Sequence, residues 1–122
     1  MKVYNGNINI TKDNKKKWEK KLKGITEITG HLDIYPNTSI KAPALTAIGG
    51  YLYLSCDSSL EASVLKTVGG YLALSSNTAL PALTTVGREI YLFSRATLTA
   101  PMLKSIVILR FGVKLLKENI ND

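Results

Sequence analysis

The 122 residues contain one cysteine, Cys56, and one histidine, His31. A single cysteine excludes an internal disulfide and any metal site built from several thiolates. A single histidine excludes paired-histidine metal spacing, and a Ser-His-Asp arrangement would have to be built around His31 alone. Asp33 stands two residues further on, but no nucleophile accompanies the two, so His31 reads as a surface residue. Cys56 reads as a partly buried, inert thiol rather than a nucleophile. No apolar run reaches the roughly 18 residues that a membrane span needs. The opening stretch Met1-Lys2-Val3-Tyr4-Asn5 has no apolar segment of the kind a secretion signal carries. The expectation is a cytoplasmic protein in a reducing compartment, with no catalytic residues, no metal and no cofactor. Aromatic residues are scarce at 7%, so a core drawn from the 45% hydrophobic residues must be aliphatic. Gly49-Gly50 and Gly69-Gly70 lack the Lys-Ser/Thr that completes a phosphate loop. Their recurrence is read as turn geometry that side chains forbid.

The formal net charge of +7 is unevenly spread. Residues 1–24 hold Lys2, Lys12, Lys15, Lys16, Lys17, Lys20, Lys21 and Lys23 against Asp13 and Glu19. Residues 31–105 hold Lys41, Lys66, Arg88, Arg95 and Lys104 against Asp33, Asp57, Glu61 and Glu89, and are nearly neutral. A charge cluster on one helix reads first as a solvated face. The alternative is contact with phosphate or an acidic partner through Lys15, Lys16, Lys17, Lys20 and Lys21.

What is abundant is repetition. Gly49-Gly50-Tyr51-Leu52-Tyr53-Leu54-Ser55 recurs as Gly69-Gly70-Tyr71-Leu72-Ala73-Leu74-Ser75, and in weaker form as Gly87-Arg88-Glu89-Ile90-Tyr91-Leu92-Phe93. Upstream it reads Thr29-Gly30-His31-Leu32-Asp33-Ile34-Tyr35, so the spacings are 20, 20 and 18 residues. A second motif trails each copy: Ala42-Pro43-Ala44-Leu45, Ala62-Ser63-Val64-Leu65, Leu80-Pro81-Ala82-Leu83 and Ala100-Pro101-Met102-Leu103. Each is followed three positions on by an aliphatic: Ile48, Val68, Val86 and Ile106. Stacked coils would align four aliphatic columns: Leu32/Leu52/Leu72/Ile90, Ile34/Leu54/Leu74/Leu92, Ile40/Leu60/Leu80/Leu98 and Leu45/Leu65/Leu83/Leu103, the last preceded by Ile25. Each coil buries little alone and relies on its neighbours for a wall. Fixed-period repetition of this kind predicts a mainly β, short parallel β-solenoid of about five coils of 18–20 residues.

The expected organisation is one solenoid domain over residues 1–122. Residues 1–27 supply a first coil and a Lys-rich capping helix, 28–106 the repeats, and 107–122 a C-terminal cap. Gly6-Asn7-Ile8-Asn9-Ile10 repeats the strand pattern 24 residues before Leu32. The extra length, residues 11–24, reads as a helix capped by Thr11 or Asp13 and ended by Gly24. Trp18, Leu22 and Ile25 make its apolar stripe. Such a helix covers the open end of the stack. Residues 113–117 read as a short C-terminal helix or final turn.

Coil length and aliphatic columns resemble leucine-rich repeats and the related receptor L-domain solenoids. The pattern GGYLxLSxxxxLxAPxLxxVGG, spanning about residues 28–106, resembles repeat proteins of bacteria, prophages and other mobile elements. That resemblance implies a small phage or mobile-element protein that modulates a host protein, for instance as an inhibitor of a CRISPR or other defence component. Leucine-rich repeats carry an asparagine ladder. Asn37 and Asn77 are its counterparts here, but Asp57 and Ala96 interrupt it.

Strand side chains alternate between faces. If Leu52 and Leu54 point inward, three outward columns follow: Asn7/His31/Tyr51/Tyr71/Glu89, Asn9/Asp33/Tyr53/Ala73/Tyr91 and Thr11/Tyr35/Ser55/Ser75/Phe93. Five of the six tyrosines fall on this outer face. Tyrosine offers large, stiff, amphipathic contact area and is enriched at binding hot spots. The expectation is a protein-interaction module using Tyr35, Tyr51, Tyr53, Tyr71, Tyr91 and Phe93. Stacked tyrosines also stabilise a sheet without any partner, and a homodimer would bury the same face. Nucleic-acid binding through the lysine helix and stacked tyrosines is the alternative. Sugar stacking on the rings is a third. No membrane partner is expected.

Overall fold

In the computed structural model, residues 2–93 and 96–104 are described in full, and the strands Val107–Arg110 and Val113–Leu116 as backbone. Arg95, Ile106 and residues 117–122 of the expected C-terminal cap lie outside the described residues. The chain winds as a mainly β, parallel solenoid of about five turns, with one short helix near its N-terminus. Each turn contributes a strand to one sheet after another. Ile8–Ile10, Leu32–Ile34, Leu52–Leu54, Leu72–Leu74, Ile90–Leu92 and Val107–Arg110 pair in parallel to form the longest sheet. Val3–Tyr4, Glu27–Ile28, Ala47–Ile48, Thr67–Val68 and Thr85–Val86 form a second, five-stranded sheet. Ser39–Lys41 pairs with Ser59–Glu61, and Thr78–Ala79 with Leu98–Thr99, on the remaining side.

The register follows the repeat. Leu32 lies level with Leu52, Leu52 with Leu72, and Leu72 with Ile90. Ile8 aligns with Leu32 across the 24-residue first turn. The resulting core is aliphatic, as the few aromatics require. Ile8, Ile10, Leu32, Ile34, Leu52, Leu54, Leu72, Leu74, Ile90 and Leu92 are all sealed from solvent. Each such side chain contributes about 1.5–3 kcal/mol through burial. Leu45, Leu65, Leu83 and Leu103 fill the opposite corner, and Ile28, Ile48, Val68 and Val86 the second sheet.

One expected column is corrected. Thr78 pairs with Leu98, so Leu80 is level with Ala100 and not with Leu98. Leu80 accepts from the N–H of Leu83 just as Ala62 accepts from Leu65 and Ala100 from Leu103, which makes it the counterpart of those alanines. The cause is local. Leu74 aligns with Leu92 but Thr78 with Leu98, so the corner between Leu74 and Thr78 is two residues shorter than the one above it.

The glycines also have a different reason from the expected one. Gly49, Gly50, Gly69, Gly70 and Gly87 do not occupy the left-handed region. They are required because adjacent turns touch there. A Cβ on Gly49, Gly69 or Gly87 would run into the carbonyl oxygen of Thr29, Gly49 or Gly69 in the preceding turn. Their N–H groups donate to Ile28, Ile48 and Val68 over 2.7, 2.7 and 2.8 Å. Among the described residues positive φ falls at Gly6, at 128°, and at Asn37 and Asp57, at 59° and 54°, the last two at exposed corners. Their side chains form no interior ladder.

The helix spans Lys15–Leu22, with Asn14 and not Thr11 or Asp13 at its N-cap position. Asn14 Oδ1 accepts from the Thr11 N–H at 2.7 Å, which closes the turn leading in. Trp18, Leu22 and Ile25 are buried as the spacing predicts, and the Trp18 ring meets Tyr4 edge-on at 5.4 Å. The helix packs beside Ser39–Lys41, the outermost strand of the third side, where the first turn has no strand. At the other end, Val113–Leu116 is a strand antiparallel to Val107–Arg110, not the helix or turn expected. The short run Val113-Lys114-Leu115-Leu116 suits a hairpin strand as well as a helical turn, and so few residues do not separate the two.

Candidate functional site

Parallel pairing without register slip fixes the outward columns of the longest sheet. Asp33 is level with Tyr53, Tyr53 with Ala73 and Ala73 with Tyr91. Adjacent parallel strands lie about 4.8 Å apart, close to the thickness needed for rings to stack. The rings use that spacing. His31 stacks on Tyr51 with centroids 3.9 Å apart, and Tyr51 on Tyr71 at 4.7 Å with planes only 5° from parallel. Tyr71 then meets Tyr91 edge-on at 5.6 Å, and Tyr91 lies 6.5 Å from Phe93. One aromatic row thus runs from His31 to Phe93 across four turns. Aromatic pairs in these geometries contribute about 0.5–1.5 kcal/mol each beyond area burial.

Stacking decides which parts of the rings are presented. The facing surfaces of Tyr51 and Tyr71 are occupied by each other, leaving edges and hydroxyls outward. All four stacked or flanking tyrosines, Tyr51, Tyr53, Tyr71 and Tyr91, are half-buried, whereas Tyr35 is 43% exposed. Ala73, level with Tyr53 and Tyr91, retains only 3% of its surface because the flanking rings cover it. Tyr53 enters no ring stack among the described residues. Sequence reasoning put His31 in the Tyr51/Tyr71 column but read it as a surface residue and left it out of the contact set. That placement was the available signal.

Polar contacts brace the row. His31 donates its N–H to Asn7 Oδ1 at 2.8 Å, and its Nδ1 accepts from the Tyr51 N–H at 3.2 Å. The Tyr91 hydroxyl donates to Glu89 Oε1 at 3.3 Å. Partial burial raises the Asp33 carboxyl above its ordinary value, and His31 opposes the shift. The Tyr51 phenol is raised first by burial, then by Asp33, Tyr71 and Tyr35. The Tyr91 phenol is raised by desolvation and by the charge of, and hydrogen bond to, Glu89.

The lysines are elsewhere. Lys15, Lys16, Lys17, Lys20 and Lys21 project from the helix, which packs against the third side and not the tyrosine sheet. The two candidate patches therefore do not form one surface. Cys56 is exposed at a corner, not partly buried as expected, beside Asp57, Ser58 and Ser76. Among the described residues, no three His, Cys, Asp or Glu side chains gather as a metal site, and no helix is long and apolar enough to cross a membrane. No family model, curated protein or solved structure matches this chain.

Proposed function

We propose that this chain is a non-enzymatic protein-binding module whose partner docks on the tyrosine sheet, contacting Tyr35, Tyr51, Tyr53, Tyr71, Tyr91 and Phe93. One observation carries the reading: the Tyr51 and Tyr71 rings are stacked within 5° of parallel, so the row offers edges and hydroxyls held rigid in advance. Pre-ordered side chains lose little freedom on binding, which favours affinity. The edges and hydroxyls of the stacked Tyr51–Tyr71 pair suit another protein's surface. That pair suits nucleobases and sugars poorly, because those ligands need open ring faces. Nor do the strands from Leu32–Ile34 to Ile90–Leu92, which carry the tyrosines, hold a lysine that would neutralise phosphate. The resemblance of the Gly-Gly-Tyr-Leu repeat to proteins of phages and mobile elements extends the proposal: the partner is a bacterial host protein, a CRISPR or other defence component being the type of target.

The test is affinity capture with wild type and two triple variants, Tyr51→Ser/Tyr53→Ser/Tyr71→Ser and Tyr51→Phe/Tyr53→Phe/Tyr71→Phe, each checked for folding by circular dichroism. The serine variant loses the partner. The phenylalanine variant keeps the row and separates the contribution of the hydroxyls from that of the rings. Equal recovery by wild type and the serine variant refutes docking on this sheet. Sedimentation of the isolated chain as a dimer that the serine variant abolishes would assign the face to self-association instead.

A further inference from the structure

The helix carries more positive charge than the fold uses, since only Lys17 and Lys21 are placed over the Trp18 ring. Lys16, Lys17, Lys20, Lys21 and Lys23 are all exposed, and Glu19 is the only acidic residue between Lys15 and Leu22. No acidic residue occupies the first turn, where the helix dipole favours one. Lys15, Lys16 and Lys17 stand there instead. Lys16 with Lys20, and Lys17 with Lys21, are like-charged pairs four residues apart, an arrangement that destabilises a helix. Among the described residues the ion pairs are Lys41–Glu61 and Arg88–Glu89, neither involving the helix. The lysines nonetheless line two open grooves, one on each flank. Lys16, Lys23 and Lys41 line the first together with Glu19, Lys2 and Lys21 line the second, and Lys17 and Lys20 border both.

We infer that this lysine ridge is a second binding surface, separate from the tyrosine sheet, that takes the phosphate backbone of duplex nucleic acid without reading its sequence. Five exposed lysines on one short helix, with Lys2 and Lys41 beside it, concentrate positive charge of the kind that the closely spaced phosphates of a duplex attract. The ridge has no ring open to bases, because Trp18 is 7% exposed with Lys17 and Lys21 placed over it at 5.4 and 5.1 Å. A membrane surface is a poorer fit, since a helix lying on lipid needs an outward apolar face. Here Trp18 and Leu22 are buried, and among the described residues the exposed large hydrophobics, Val3, Tyr35, Val64 and Met102, are all off the helix. An acidic protein partner is a poorer fit for the same lack of an apolar anchor.

The experiment measures binding of the full chain to a short duplex DNA over a salt series. Engagement of about five lysines gives a slope of log affinity against log salt of about −4 to −5. The Lys16→Gln/Lys20→Gln variant lowers that slope by about 2. The charge-matched Lys66→Gln/Lys104→Gln variant, altered away from the helix, stays near wild type. The Tyr51→Ser/Tyr53→Ser/Tyr71→Ser variant keeps duplex binding, so failure here is distinguishable from failure of the docking sheet. Absence of duplex binding at low salt overturns the inference. Equal loss in both lysine variants also overturns it, because net charge alone would then explain the effect. Tighter binding of an anionic vesicle or a poly-glutamate peptide than of the duplex overturns the choice of ligand.

Discussion

The Tyr51 N–H donates to His31 Nδ1 across 3.2 Å while the two rings lie 3.9 Å apart and 15° from parallel. The imidazole thus does two things for the next turn: it accepts a backbone hydrogen bond and provides a platform for the first tyrosine.

Separating those contributions needs two variants. His31→Phe keeps a ring beneath Tyr51 but removes the acceptor, which costs about 1 kcal/mol. His31→Ala removes the platform as well and costs about 1.5–2.5 kcal/mol. Urea unfolding measures both. A His31→Phe protein as stable as wild type would show that the hydrogen bond contributes nothing.

Gly69→Ala places a methyl group against the Gly49 carbonyl of the preceding turn. Adjacent turns must then separate, at a cost of about 1–3 kcal/mol. Gly24→Ala is the control, since nothing lies within 4 Å of a Cβ there. It leaves stability unchanged or raises it by about 0.4–1 kcal/mol. Thermal unfolding of the two variants should move in opposite directions or differ sharply in size.

Asp33 gives a pH dependence whose sign is fixed. Its folded carboxyl titrates above the ordinary 3.8, chiefly because burial disfavours the charge. The favourable contribution is therefore complete below 3.8 and is lost as pH rises through the folded value. At neutral pH the ionised group opposes folding, so Asp33→Asn is more stable than wild type there. The advantage shrinks as pH falls toward 3.8. An Asp33→Asn protein with the same neutral-pH midpoint as wild type would contradict this account.

The phenols of Tyr51 and Tyr91 behave alike at the alkaline end. Both titrate above 10.0 in the folded chain. Their contribution is intact below that value and disappears as pH climbs through the folded values. Ultraviolet titration of native protein should show phenolate forming later than in urea, and Tyr51→Phe should remove part of the delayed signal. Superimposable native and unfolded curves would mean that the row does not perturb its phenols.

Repetition made the fold readable. The Leu52/Leu72 and Leu54/Leu74 columns could be written down because each position occurs in several copies, and a period of twenty with alternating apolar residues leaves one direction for the core. Leu80 went to the wrong column for the same reason. The two-residue shortening between Leu74 and Thr78 is invisible until the pairing of Thr78 with Leu98 locates it. The tyrosines' outward direction was legible from alternation, but their stacking was not. Ring tilt depends on side-chain torsions, and the turn from the parallel Tyr51–Tyr71 pair to the edge-on Tyr71–Tyr91 pair reflects Tyr91 occupying the neighbouring column. The glycines were recognised, but their reason lies in contact between turns some twenty residues apart, which local conformational preference does not reveal.

Because Gly49, Gly69 and Gly87 bring each turn against the last at one fixed height, the molecule is modular along its axis. Duplicating residues 49–68 in tandem would splice in a further rung, with its own tyrosine pair, and leave both ends untouched. The reach of the aromatic strip is therefore a count of rungs, which gene-level duplication or deletion alters in whole steps.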